Sequence, residues 1–179
     1  VELTYIVAEA PDGMYLVDQH AAHERVLYEQ ALARRVTGEV ASQPLLDAAV
    51  VTLSAAQVSL VEEAAEALSA VGWSIDPADG TAVIVRAVPP GLPARDPARG
   101  LTAFLDRLAA EERLTGPDRV AATLACRAAV MAGDRLDAEQ QRALLRALEA
   151  CETPHTCPHG RPTMLHLSRA ALERSFGRR

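Results

Sequence analysis

In the stretch DQHAAHERVLYE, Asp18–Glu29, the sequence changes from a strand pattern to a helix pattern. Before it, Val1–Ala10 and Gly13–Gln19 are rich in β-favouring residues and are joined by a Pro-Asp-Gly turn, which predicts a hairpin. After Gln19, apolar residues recur at spacings of three and four, which predicts a helix over His20–Val36.

The rest of the chain predicts an α+β fold in two lobes. Residues 38–117 carry enough strand and helix signals for an inserted subdomain, and residues 1–37 with 118–179 would form the other lobe, in which the two chain ends pair. The predicted strands are Val50–Leu53, Trp73–Asp76, Thr81–Val88 and Thr163–Leu167; the predicted helices are Ser54–Val71, Leu101–Arg113, Arg119 to about Met131, Asp134–Glu152 and Ser168–Phe176; the predicted loops are Pro89–Gly100 and Thr153–Pro162.

Composition limits the classes of function. The chain has 179 residues, a formal net charge of −6 and no lysine. An acidic domain is not a self-sufficient nucleic-acid binder, so any DNA substrate must be delivered by another component. No stretch approaches the roughly 20 apolar residues that span a bilayer, and no signal-peptide pattern is present. We therefore expect a cytoplasmic protein with no membrane partner, and the missing initiator Met suggests a fragment of a longer protein.

Metal-capable side chains are concentrated in the opening motif. His20 and Glu24 are four residues apart, so on a helix their side chains project from one face about 6 Å apart. A helix presents two ligands to one cation at this spacing. Asp18 precedes them at the strand end, and His23 lies beside the pair. The alternative is a solvated polar helix start whose acids favour the N-terminal dipole.

A second cluster strengthens the metal interpretation. Cys157-Pro158-His159 places a thiol and an imidazole two residues apart, a combination that favours Zn²⁺ over Mg²⁺ or Ca²⁺. The alternative is a buried cysteine beside a surface histidine, and Cys126 by itself is more typical of core packing. Three cysteines do not make a disulfide framework. With all of these residues the ligands exceed what one four-coordinate zinc needs, which points to two nearby metal positions, a common arrangement for phosphodiester cleavage.

The motifs resemble those of one protein family. In order they are Asp18-Gln19-His20-Ala21 with Glu24 and Glu29, then Ala125-Cys126-Arg127, then Cys157-Pro158-His159-Gly160-Arg161-Pro162, then Phe176-Gly177-Arg178. Over nearly its whole length the chain resembles the C-terminal domain of bacterial MutL, the mismatch-repair family, in its endonuclease-bearing form.

The resemblance implies a homodimerising domain that nicks DNA, with zinc as a structural or regulatory ion and manganese as the activating ion. By the same resemblance Asp18 is the key catalytic acid, joined by Glu24, which also bridges metals. The implied metal ligands are His20, Glu24, Cys126, Cys157 and His159; the implied supporting residues are Gln19, Glu29, Arg127, Arg161 and Arg178.

The resemblance also implies a contact with the replication sliding clamp. Family members often carry a Gln-x-x-Leu-x-Pro motif in an inserted regulatory subdomain, here residues 38–117, while residues 1–37 with 118–179 would dimerise. In this chain Gln43 and Leu46 match the motif, and Ala48 replaces its proline, which implies a weakened contact. The alternative is a polar turn into the next strand. Clamp docking would bring DNA close without intrinsic affinity.

Three classes of function remain open at this level. The first is a metal-dependent DNA nicking endonuclease that acts at the nucleoid and meets a mismatch-recognition protein through the full-length protein. The second is a non-catalytic dimerisation and clamp-docking module with structural zinc, which would not require Asp18. The third, a zinc hydrolase of small molecules, is disfavoured because no substrate-pocket motif is evident.

Overall fold

In the computed structural model, which describes residues 3–38, 40–92, 94–129 and 134–178, the chain folds into helices and two small antiparallel sheets. The elements are β1 (Tyr5–Ala10), β2 (Gly13–Asp18), α1 (Gln19–Thr37), β3 (Gln43–Thr52), α2 (Ala55–Glu63), α3 (Ala65–Ala70), β4 (Ser74–Pro77), β5 (Ala82–Val88), α4 (Pro97–Ala110), α5 (Gly116–Ala128), α6 (Ala138–Glu149), β6 (Met164–Ser168) and α7 (Arg169–Ser175). The α+β class predicted from the sequence is confirmed.

One compact unit comprises Val1–Glu29 and Ala129–Arg179. Its sheet has the order β1-β2-β6, so the predicted N-terminal hairpin is present and the two chain ends pair through β2 and β6. Gly13 begins β2 with φ +149°, and a Cβ atom there would lie 2.3 Å from the carbonyl oxygen of Leu167. Only glycine fits so close to the neighbouring backbone.

The core of this unit lies on one face of its sheet. It joins the inward residues of β1 and β2 to apolar residues of α1 and α6, namely Ile6, Val17, Ala22, Val26, Leu144 and Leu148. On the opposite face, Val7, Leu16 and Leu165 stand side by side across the three strands. Val7 is 56% exposed and Leu165 is 59% exposed, so this face is apolar and open.

The other compact unit comprises Gln30–Ala128. Its sheet has the order β3-β5-β4. Its core is formed by strand, helix and loop residues that include Leu68, Trp73, Val85, Leu101, Phe104, Leu105 and Val120. The Trp73 and Phe104 rings meet edge to face within this core, 5.5 Å between centroids.

Several element boundaries differ from the sequence prediction. The single helix predicted from Ser54 to Val71 is two helices, separated at Ala64 (φ −100°, ψ 11°). Ser54 is the N-cap of α2, where it forms a capping box with Gln57. The run around the break is rich in Ala and Glu, which favour helix, so local propensity does not reveal it.

Two helices begin earlier than predicted. Helix α4 begins at Pro97 within the predicted loop, because the Asp96 side chain accepts a hydrogen bond from the backbone of Arg99 and proline suits the first turn. Helix α5 begins at Gly116, three residues before the predicted start at Arg119. Strand β3 is also longer than the predicted Val50–Leu53.

Two of the predicted elements extend beyond the described residues. Val1 and Glu2, in the first predicted strand, and the predicted helix end near Met131 lie outside the described residues. No helix in the described ranges is both long enough and apolar enough to cross a bilayer. The assignment of residues 1–37 with 118–179 to dimerisation, and of 38–117 to regulation, stays a prediction.

Candidate metal centre

Asp18 ends β2 and caps α1. Its Oδ1 accepts hydrogen bonds from the backbone N–H groups of His20 (2.9 Å) and Ala21 (3.0 Å). These are the second and third residues of the helix, whose N–H groups have no partner inside it. The same carboxylate that the resemblance assigns to catalysis therefore fixes the direction in which α1 leaves the sheet.

Gln19 has a structural role beside it. The side chain is buried, its Nε2 donates to the carbonyl oxygen of Asp134 at 2.8 Å, and its backbone N–H donates to that of Thr4 at 3.1 Å. Gln19 thus ties the first turn of α1 to two distant points of the chain.

His20 and Glu24 meet on one face of α1, as their spacing predicts. Nε2 of His20 lies 3.2 Å from Oε1 of Glu24. Glu24 is completely buried, and Oε1 has no hydrogen-bond donor in good geometry among the described residues. A buried carboxylate whose oxygen lacks a well-placed hydrogen-bond donor is suited to bind a cation.

The second group of candidate ligands lies on a loop between α6 and β6. Two backbone hydrogen bonds shape this loop: Cys157 N–H donates to the Arg161 carbonyl oxygen at 2.8 Å, and Gly160 N–H donates to the Cys157 carbonyl oxygen at 2.9 Å. Gly160 has φ +79°, which permits the tight turn after His159. Cys157 is only 1% exposed.

Glu24, Cys157 and His159 come together. One ligand atom from each of the three lies within 4.8 Å of the other two, and Nδ1 of His159 is 3.5 Å from Oε2 of Glu24. Carboxylate oxygen, thiolate sulfur and imidazole nitrogen are the ligands that zinc takes in proteins. The residues therefore fit a zinc ion, with His20 next to the group through Glu24.

Arg161 places a positive charge on the buried carboxylate. Its guanidinium donates to Oε2 of Glu24 at 2.6 Å. Burial opposes ionisation of Glu24, but His20 and Arg161 together lower the pKa of its carboxyl to about 2. Glu24 is therefore an anion at neutral pH, the form in which it binds a metal.

Arg25 and Glu29 attach the loop to α1. Arg25 is buried, and its Nε donates to the carbonyl oxygen of Thr156 at 2.5 Å. Glu29 accepts hydrogen bonds from the backbone N–H groups of Glu152 (2.7 Å) and Thr153 (3.2 Å). Arg25 was not among the residues predicted from the sequence, because the pattern of an amphipathic helix does not indicate which residue an arginine on it will contact.

Other predicted site residues lie outside the three-residue group. Asp18 is not a member of it, Arg178 follows α7, and Cys126 and Arg127 lie on α5 in the Gln30–Ala128 unit. Their membership of the site stays a prediction. Gln43 and Leu46 lie on β3.

Cys151, His23 and His166 have neighbours outside the group of Glu24, Cys157 and His159. Burial and Glu29 raise the pKa of the Cys151 thiol to about 11, so it is unreactive at neutral pH. Burial and the nearby His20 lower the pKa of His23. His166 stacks on the Tyr15 ring, 4.5 Å between centroids.

Comparison with known proteins identifies the family of the chain. The family model described as the MutL C terminal dimerisation domain matches residues 1–136. The chain is 40% identical to the DNA mismatch repair protein MutL of Symbiobacterium thermophilum, with 99% of this chain and 29% of that protein aligned. It is 45% identical to MutL of Phenylobacterium zucineum, with 100% and 29% aligned, and 40% identical to MutL of Methanothrix thermoacetophila, with 98% and 32% aligned.

The chain therefore spans about a third of the length of these relatives. Since the family model covers most of the chain, the family is established. The chain belongs to the MutL C-terminal dimerisation domain family.

Proposed function

We propose that this domain nicks DNA during mismatch repair in a metal-dependent hydrolysis. The observation that carries the proposal is the buried group of Glu24, Cys157 and His159, whose ligand atoms lie within 4.8 Å of one another. Burying a carboxylate, a thiol and an imidazole together is costly unless the groups are paired or bind a metal. A dimerisation surface alone does not require it.

His20, Glu24, Cys157 and His159 would hold zinc, and Cys126 is a further proposed ligand. The carboxylates of Asp18 and Glu24 would hold the activating manganese, because hard oxygen ligands suit that ion. When bound, the metal ions would stabilise the charge that develops on the phosphate and lower the pKa of a bound water.

Asp18 would act directly in the reaction. Its Oδ1 caps α1, so the second oxygen, Oδ2, is the one available in this proposal to accept a proton from the attacking water. Water forms a bond to phosphorus, one P–O ester bond breaks, and the products are a phosphate monoester and a hydroxyl. The leaving oxygen takes up a proton, so atoms and charge balance.

Arginines would support this chemistry. The Arg161 side chain is 54% exposed while its guanidinium contacts buried Glu24, so it lies at the boundary between the site and solvent. A guanidinium there suits a DNA phosphate, which it binds in a bidentate manner. Arg127 and Arg178 are proposed as further supporting residues, since they match motif positions of the endonuclease-bearing relatives.

The test is nicking of supercoiled plasmid with Mn²⁺, comparing the parent chain with Asp18→Asn. The sliding clamp should be supplied, because the acidic domain binds DNA weakly alone. Asparagine is also a good helix cap, so this variant removes the carboxylate and keeps the fold. The proposal expects nicking to be lost while zinc content and dimer mass are unchanged; equal background in both chains would contradict it.

A second candidate is a docking and dimerisation module with structural zinc. The observation in its favour is that Glu24 and Cys157 are both fully enclosed, as ligands of structural zinc sites are. In this candidate Asp18 serves only as a helix cap, and Asp18→Asn would change nothing.

We also propose the surface that dimerises. The open face of the β1-β2-β6 sheet, carrying Val7, Leu16 and Leu165, is apolar, and membership of a dimerisation family makes a second copy of the chain its occupant. A contiguous exposed apolar patch typically marks an interface.

A sliding clamp is the proposed partner of the β3 strand. Leu46 is fully exposed, and the pairing of β3 with β5 is irregular between Pro44 and Ala49. An exposed leucine on irregular backbone is what a short peptide-like motif needs to enter a partner's pocket. Gln43 would add a polar contact. The mismatch-recognition protein would be met through the full-length protein, and a nucleoid location would follow from these partners.

A further inference from the structure

The metal ligands of the loop have no regular secondary structure to hold them. Cys157 and His159 lie between α6 and β6, where backbone hydrogen bonds within the loop fix its shape. Bonds inside a loop do not fix where the loop lies relative to Glu24 on α1. That position depends on the contacts between the loop and its surroundings.

Arg25 makes such a contact next to the thiol ligand. Its Nε donates to the carbonyl oxygen of Thr156, the residue immediately before Cys157, at 2.5 Å. The side chain is only 10% exposed, so water competes little for this hydrogen bond. The guanidinium also lies 5.3 Å from the centre of the Tyr28 ring, which holds it from another side.

Glu29 fixes both Arg25 and the beginning of the loop. Its Oε1 lies 3.4 Å from NH1 of Arg25 and accepts from the N–H and the hydroxyl of Thr153, both at 3.2 Å. Its Oε2 accepts from the N–H of Glu152 at 2.7 Å. One carboxylate thus orients the arginine and two successive peptide units.

The far end of the loop is attached to β2. Asp18 N–H donates to the carbonyl oxygen of Thr163 at 2.9 Å, and Thr163 N–H donates to that of His155 at 3.1 Å. The loop is therefore fixed at its end by the sheet, after His159 by the contact of Arg161 with Glu24, and near Cys157 by Arg25. The Arg25 guanidinium binds Thr156, so among these attachments it is the one closest in sequence to Cys157.

We propose that Arg25 is a positioning residue of the metal centre. It binds no metal itself; by holding the Thr156 carbonyl it keeps the Cys157 thiol and the His159 imidazole within reach of Glu24. This inference rests on the proposed metal site. An arginine is required because Nε serves the loop while NH1 serves Glu29, and lysine offers only one point of attachment.

The test measures zinc affinity by competition with a chromogenic chelator. Arg25→Met keeps much of the apolar stem and removes the hydrogen bonds, and Arg25→Lys keeps the charge. The matched control is Arg169→Met, because Arg169 forms an exposed pair with Glu173 on α7 in the same unit. Outer partners of metal ligands typically contribute about 10- to 100-fold in affinity. We expect a loss of that size for Arg25→Met, a smaller loss for Arg25→Lys, and none for Arg169→Met.

A second readout separates positioning from simple stability. Thermal unfolding in excess chelator reports the fold without zinc, and the Co²⁺ absorption spectrum reports the ligand geometry. A purely structural role would lower the melting temperature in chelator and leave zinc affinity within twofold of the parent, which would overturn the inference. If Arg25→Met does not fold, Arg25→Lys decides by the same criterion. If the parent chain binds no zinc, the proposed metal site fails, and this inference fails with it.

Discussion

Nδ1 of His159 lies 3.5 Å from Oε2 of Glu24, although the two residues belong to motifs near opposite ends of the chain. The pairing of β2 with β6 makes this possible, because it brings the start of α1 beside the loop that precedes β6. The sheet therefore does more than form a core. It brings together two groups of candidate metal ligands that are far apart in the sequence.

Asp18 caps α1, and in the proposed function it is also the catalytic acid. Asp18→Ala should lower the free energy of unfolding by about 1 kcal/mol, since the first turn of α1 loses its cap, whereas Asp18→Asn should leave it nearly unchanged. Urea unfolding in excess chelator measures both. Equal loss in the two variants would show that the negative charge, and not the capping hydrogen bonds, stabilises the helix.

Acid should weaken the attachment of the loop through Glu29. Burial raises the pKa of this carboxyl, but hydrogen bonds from Glu152 and Thr153 outweigh that effect and hold the pKa below its ordinary value of 4.5. Glu29 therefore contributes stability above pH 4.5 and loses it as the pH falls through the lowered folded-state pKa.

Glu29→Gln should accordingly be less stable than the parent at pH 7, and the difference should shrink as the solution is acidified below pH 4.5. Thermal unfolding in chelator across this range measures the effect. The control is Glu173→Gln, which removes an exposed pair with Arg169 and should change little. A difference that is constant with pH would refute the prediction.

Features that depend on local sequence patterns were predictable from the sequence, and features that depend on tertiary packing were not. The hairpin, α1 and the spacing of His20 and Glu24 depend on local patterns, and all of these predictions are confirmed. The break at Ala64 and the contact of Arg25 with Thr156 depend on tertiary packing. An alanine in a helical run does not indicate a helix break, and an arginine in a helix does not indicate its partner, so the sequence alone does not reveal either feature.

Dimerisation should depend on the open face of the β1-β2-β6 sheet. Leu165→Glu places a charge on that face, on the edge strand β6, and should weaken the dimer by about 30-fold or more, equivalent to roughly 2 kcal/mol. Val50→Glu is the matched control, since Val50 is an exposed strand residue of the other sheet. Sedimentation equilibrium gives both constants. An unchanged constant for Leu165→Glu would place the interface elsewhere.

Binding to the sliding clamp should depend on Leu46. Truncation of a fully exposed anchor to alanine should weaken binding about tenfold without changing the stability of the domain. Val50→Ala, on the same strand and 70% exposed, should bind as the parent does. Surface plasmon resonance with immobilised clamp makes the comparison, and parallel losses in both variants would contradict a specific Leu46 contact.

Co²⁺ titration shows whether Glu24 and the Cys157 loop form one metal centre. Coordination by a thiolate gives an intense near-ultraviolet charge-transfer band. We expect this band in the parent chain and in Cys151→Ser, whose thiol is not a member of the Glu24, Cys157 and His159 group. Cys157→Ser should weaken this band, because Cys126 is then the remaining thiolate among the proposed ligands, and Glu24→Gln should weaken Co²⁺ binding. A band of equal intensity in Cys157→Ser, or no band in the parent, would contradict the account.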